Sequence, residues 1–207
     1  MSMAARISPQ PISGSERTEN KKAAISAVPS PINHSPLQLV ETEGQLQVHT
    51  APYRGSFSVV LSEALRAAGL GSKVMIVQFL RGGVNQGPKG IISLCGGLEW
   101  ARPNVPCCVS AENQNSWSQE IHATTSNAIK EMWELCKKRL LTNDLDQLVL
   151  DEAGLAIKLG YINNKDFIRT LDLRPKGMDV ILTGPSIPNK VMQMADQVTE
   201  LRCLHSC

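Results

Sequence analysis

Nowhere does this 207-residue chain hold an apolar run approaching the roughly 20 residues that a membrane-spanning helix needs, and its N-terminus lacks the apolar core of a secretory signal. It also lacks a charge imbalance. The 21 basic and 19 acidic residues leave a net charge of +2, which offers no strong field to a nucleic-acid backbone or an anionic membrane. Nucleic-acid and membrane partners are therefore not expected, and a cytoplasmic location is. Paired CxxC spacings are absent. Adjacent Cys107 and Cys108 could in principle grip a soft metal, but no second pair or nearby His completes a four-ligand shell. Reduced thiols, some buried as small apolar groups, are the simpler reading. Large aromatic side chains are scarce, so Trp100, Trp117 and Trp133 supply most of that surface. Finally, no lysine lies between Lys22 and Lys73.

What is present is an ordinary core-forming composition, 42% hydrophobic and 19% charged, enough for one domain plus a tail. Residues 1–38 are rich in Ser, Pro and Ala without helical or strand period, and read as a disordered tail. A cationic transit segment is a second reading of Arg6, Arg17, Lys21 and Lys22, opposed by Glu16 and Glu19. Residues 39–207 alternate between strand and helix signals. Gln45–Thr50 reads as a strand, Phe57–Ala68 as a helix ended by Gly69 and Gly71, and the apolar run Lys73–Leu80 as a strand covered on both faces. A short strand follows at Ile91–Leu94, and residues 99–115 read as irregular. A long helix spans Ser116–Leu141, with Ile121, Thr125, Ala128, Ile129, Met132, Trp133, Cys136 and Leu140 on one stripe. Strands at Leu145–Leu150, Met178–Thr183 and Val198–Cys203 are separated by helices at Asn164–Leu173 and Pro188–Ala195. This alternation predicts an α/β fold with a mostly parallel sheet and helices on both faces.

In such sheets ligands bind beyond the carboxyl ends of the strands. Four ends stand out: His49-Thr50 running into Ala51–Gly55, Gln78–Gly83, Asp151-Glu152, and Thr183-Gly184-Pro185. A strand, a loop and a helix in that order is the setting of a phosphate loop, a glycine-rich turn closing on Gly-Lys-Ser/Thr. Its backbone N–H groups face the phosphates, its lysine neutralises charge and its hydroxyl helps hold magnesium. Here the loop reads Ala51-Pro-Tyr-Arg-Gly-Ser-Phe-Ser58, with Ser56 after Gly55 for the lysine and Phe57 for the hydroxyl residue. Thr50, Arg54, Gly55, Ser56 and Ser58 are the candidate nucleotide contacts. Arg54 is the loop's one cation, suited to an anion or to the plain surface. Asp151-Glu152 after an apolar strand suits a magnesium-orienting Walker B pair, or equally the N-terminus of a following helix. Trp117, beside a polar loop, can pack on a flat ligand or be buried. His49 and His122 lack partners for catalysis or metal binding.

Several segments together resemble one family. They are Val48-His-Thr50, Leu61–Gly71, Lys73–Gly82, Leu148-Val-Leu-Asp-Glu152, Arg174-Pro175, Val180–Gly184 and Ala195–Arg202. Their order and spacing resemble the ATP:corrinoid adenosyltransferases of cobalamin biosynthesis, from about residue 45 to the C-terminus. The resemblance implies a RecA-like P-loop NTPase fold and often a homodimer. It also implies ATP and magnesium on the phosphate loop, and transfer of 5′-deoxyadenosyl to a reduced corrinoid cobalt with triphosphate leaving. Trp117 stands near a family tryptophan in the corrinoid-facing region. Three features depart from the family: the loop Ala51–Ser58, Pro185 where an arginine follows the strand, and the Ser/Pro-rich tail in place of a basic arm. Two functional readings stay open, an adenosyltransferase with an altered phosphate site, and a non-catalytic relative that binds a ligand or protein through the old cleft. A P-loop kinase with a displaced loop would need a lysine near Ala51–Ser58.

Overall fold

The structure, a computed structural model, describes residues 43–55 and 57–202. The tail read at 1–38, the boundary at 39, Ser56, and the end of the closing strand at Cys203 lie outside the described residues. Within them run β1 (Leu46–Thr50), α1 (Ser58–Gly69), β2 (Val74–Gln78), β3 (Ile92–Ser93), β4 (Leu98–Ala101), α2 (Ala111–Ser116) and α3 (Gln119–Thr142). The chain continues through β5 (Gln147–Asp151), α4 (Ala153–Lys158), α5 (Asn164–Asp172), β6 (Asp179–Thr183), α6 (Asn189–Met194) and β7 (Gln197–Glu200). The seven strands form one sheet in the order β3-β4-β2-β5-β6-β1-β7. Every neighbouring pair is parallel except the β3–β4 hairpin at one edge. This is the expected α/β architecture, and it fits a P-loop NTPase-like fold. Among the described residues no helix is long and apolar enough to cross a membrane.

Alternation along the strands sorts the core into two layers. Met75, Val77, Leu148, Leu150, Val180 and Leu182 face a large cluster built with α3, α4, α5 and α6. Val74, Ile76, Val149 and Ile181 face a smaller one under Val60, Ala64 and Ala68 of α1. Of the predicted α3 stripe, Thr125, Ile129, Met132, Trp133, Cys136 and Leu140 are buried, Ala128 is partly buried against the same core, and Ile121, in the first turn, is exposed. Burial also pushes the Cys136 thiol pKa far up, so that sulfur behaves as a small apolar group.

The irregular reading of residues 99–115 is corrected by β4 and α2. β4, Leu-Glu-Trp-Ala, pairs with β2 over its whole length. Only Leu98 and Ala101 are buried in it, so four residues carry no clear period. α2 has no buried residue at all. It forms because the Ser110 hydroxyl accepts the Asn113 N–H at its head, a capping contact that an apolar pattern does not reveal.

Candidate functional site

Parallel register carries three polar residues to one level at the carboxyl edge. Gln78 pairs with Asp151, and Asp151 with Thr183. All three lie one residue past the last apolar position, on the α1 side of the sheet. Asp151 is 2% exposed. Its Oδ1 accepts the Thr183 hydroxyl at 2.7 Å and its Oδ2 accepts Gln78 Nε2 at 2.9 Å. Gln78 Oε1 in turn accepts Trp100 Nε1 at 3.0 Å and Arg102 Nε at 2.8 Å. The Arg102 guanidinium also lies over the Trp100 ring. Burial pushes the Asp151 pKa upward, and the bonds from Thr183 and Gln78 oppose it.

Glu152 is arranged differently. It leaves β5 in the left-handed region, at φ 60° and ψ 23°, and stands at the head of α4 without capping it. Its carboxylate is fully buried and turns instead to the loop after β1. Arg54 Nε donates to Oε1 at 2.8 Å and Nη2 to Oε2 at 2.6 Å, while Nη1 donates to the Val109 carbonyl at 2.6 Å. This is a bidentate fork, and the bond to Glu152 raises the Arg54 pKa. The Thr50 hydroxyl closes the same corner by donating to the Gly184 carbonyl at 3.0 Å. Gly184 sits at φ 107°, and a Cβ there would come within 3.1 Å of the Glu152 Cα. Arg54 thus meets an anion, the chain's own carboxylate, with its side chain partly exposed, and the Glu152 side chain makes no cap bond to α4.

Gly55, Phe57 and Ser58 make none of these contacts. Phe57 is the N-cap residue of α1, and no side chain caps the helix. Its ring packs edge-on to His49 at 6.3 Å and against the α1-side core. Burial lowers the His49 pKa. Gly55 is half-buried, Ser58 is exposed as the first residue of α1, and Ser56 lies outside the described residues. Trp117 closes α2, half-buried, with the His122 ring edge-on at 5.6 Å. It stands at the far end of α2 from Ser110, the residue that follows the Arg54 acceptor Val109. The structure thus unites Thr50, Arg54, Asp151 and Glu152, and leaves Ser58 and Trp117 outside that group.

A magnesium–triphosphate group does not fit these residues as they stand. Both Asp151 oxygens hold protein donors, both Glu152 oxygens hold a guanidinium, and a cation already fills the space beside them. Among the described residues no cluster of three or more His, Cys, Asp or Glu could hold a metal ion, and Cys107 and Cys108 are free cysteines. Sequence reading missed Trp100 and Arg102 as partners of the site. Only the β2–β4 register, which puts Trp100 beside Ile76, brings them to Gln78.

Comparison with known proteins gives a consistent result. The family model described as ATP:corrinoid adenosyltransferase BtuR/CobO/CobP matches residues 42–206. The corrinoid adenosyltransferase of Escherichia coli (strain K12) is 28% identical over 165 residues, covering 80% of this chain and 80% of that protein. Corrinoid adenosyltransferase CobA of Salmonella typhimurium (strain LT2) is 28% identical over the same length. The corrinoid adenosyltransferase of Pseudomonas aeruginosa (strain PAO1) is 27% identical over 186 residues, covering 90% of this chain and 85% of its own.

Proposed function

Because the chain belongs to the ATP:corrinoid adenosyltransferase family, we propose that it binds a corrinoid through the cleft at the carboxyl edge of its sheet and does not transfer an adenosyl group from ATP. Family chemistry needs a protein that positions and shields its reactants, since the cobalt itself is the nucleophile. What this chain lacks is the grip on the leaving triphosphate. The observation that carries the reading is Phe57, whose ring is packed under α1 against His49 where a magnesium-holding hydroxyl would stand. Ser56 removes the lysine as well. Each lost charge-assisted bond costs about 1.5–3 kcal/mol, so the two together weaken triphosphate binding about 100- to 10,000-fold.

Thr50, Gly184 and the row Gln78, Asp151 and Thr183 then serve as a rigid floor. They hold the strand ends in place without holding a metal. Half-buried Trp117, edge-on to His122, offers an aromatic wall for a flat ligand.

The test is direct. Purified protein is mixed with chemically reduced cobalamin and magnesium ATP, and the alkylcobalt absorption band is followed. No band is expected, while equilibrium dialysis with hydroxocobalamin shows retention that Trp117→Ala weakens. Steady formation of adenosylcobalamin overturns the reading, and so does a failure to retain any corrinoid.

A further inference from the structure

The Arg54–Glu152 fork does more than fill a gap. Glu152 is the sole fully buried carboxylate among the described residues, and it reaches Arg54 across 98 positions of sequence. It is held in a left-handed backbone conformation that side chains other than glycine rarely adopt. Locally its carbonyl accepts the Ala156 N–H of α4 at 3.0 Å, while its side chain makes no cap bond to that helix. Beyond α4 its partners are the Arg54 guanidinium and the Thr183 carbonyl, which accepts its N–H at 2.8 Å. On the other side, Arg54 commits Nε and Nη2 to the carboxylate and Nη1 to a carbonyl. A planar cation in a loop between a strand end and a helix head is chemistry suited to a phosphate oxygen pair. Here a carboxylate of the chain stands in that place.

We propose that this cradle is an anion site whose resident anion is the chain's own Glu152 carboxylate, and that it accepts inorganic polyphosphate once that carboxylate is neutralised. The inference deepens the reading above and rests on the Ala51–Ser58 loop being the former nucleotide cradle. An incoming anion must displace Glu152, stranding a buried charge without a partner, which is strongly unfavourable. The fork therefore acts as an internal competitor. Glu152→Gln keeps the side-chain shape and gives up the charge. Arg54, 30% exposed at its side chain, stays in reach of solvent anions.

The experiment uses full-length chain and inorganic tripolyphosphate without magnesium, titrated calorimetrically into wild type, Glu152→Gln and the double variant Arg54→Gln/Glu152→Gln. The single variant is expected to bind at least about tenfold more tightly than wild type, as a released charge-assisted pair allows, and the double variant is expected to lose that gain. Equal affinity in wild type and Glu152→Gln overturns the inference and leaves the corrinoid reading standing. Tight binding by wild type overturns both. A second measurement needs no variant: phenylglyoxal labelling with peptide mapping. Arg54 is expected to react far more slowly than exposed Arg66, and equal rates overturn the proposal.

Discussion

Carboxylates sit at both ends of this sheet, and they do opposite kinds of work. At the amino end three aspartates accept backbone N–H groups at or just before the starts of β1 and β2. Asp179 accepts from Gln45 at 2.8 Å, Asp196 from Leu46 at 2.7 Å and Asp146 from Lys73 at 2.7 Å. They stand in or near solvent, where a carboxylate is cheap to keep charged. At the carboxyl end Asp151 and Glu152 are buried, and each has recruited side chains from distant segments. The lesson concerns burial. A carboxylate held away from water must be matched by donors of the chain itself. Glu152 has Arg54, and Asp151 has neutral donors.

The sharpest way to break that contrast is to remove the cation. Arg54→Ala leaves a fully buried carboxylate unpaired, which typically destabilises by about 3–5 kcal/mol. Partial exposure of the arginine admits some water, so we expect about 3 kcal/mol in urea unfolding. The paired variant Arg54→Met/Glu152→Met is expected to recover most of it. A loss below about 1 kcal/mol in the single variant would mean that the fork contributes no more than an exposed pair.

Thr183→Val tests the neutral side of the same end. It keeps the branched shape that suits a strand and removes the donor to Asp151 Oδ1. A hydrogen bond to a charged group is worth about 1.5–3 kcal/mol. The pH dependence carries its own sign. Burial raises the folded pKa of Asp151 above its unfolded value. The folded state therefore prefers the protonated acid, and that stabilisation is complete below the unfolded pKa and lost as pH rises through the folded one. Removing a donor that favours the ionised form makes matters worse at neutral pH. The gap between wild type and variant should thus widen from pH 4 to pH 7, and a gap independent of pH would show that Asp151 is not the partner that matters.

Much of the fold was readable because its signals are local. The runs at β2, β5 and β6 are apolar at every central position, and α3 carries one continuous buried stripe. β4 and α2 were not readable, since Glu99 and Trp100 break one pattern and a serine cap alone supports the other. The site was legible by halves. Asp151-Glu152 follows a strand and belongs at its carboxyl end, as expected of any parallel sheet. That Glu152 would point back to Arg54, or that Gln78 would join Trp100 to Asp151, depends on strand order and register. Those follow from crossovers spanning tens of residues, and no spacing in the chain announces them.

The smallest expected effect lies at the amino end and completes the contrast. Asp196 accepts the Leu46 N–H and faces Arg174 at 3.3 Å, with its side chain 51% exposed. Asp196→Asn keeps an acceptor for the N–H and gives up only the ion pair. Exposed pairs contribute about 0–1 kcal/mol, so the loss should be a few tenths at low salt. In 1 M NaCl, where the screening length is about 3 Å, wild type and Asp196→Asn should become indistinguishable. The Arg54→Ala loss should persist there, because a buried carboxylate is poorly reached by salt. If both differences vanish together in high salt, Glu152 is solvated in solution, and the two ends of the sheet do not differ in the way their burial implies.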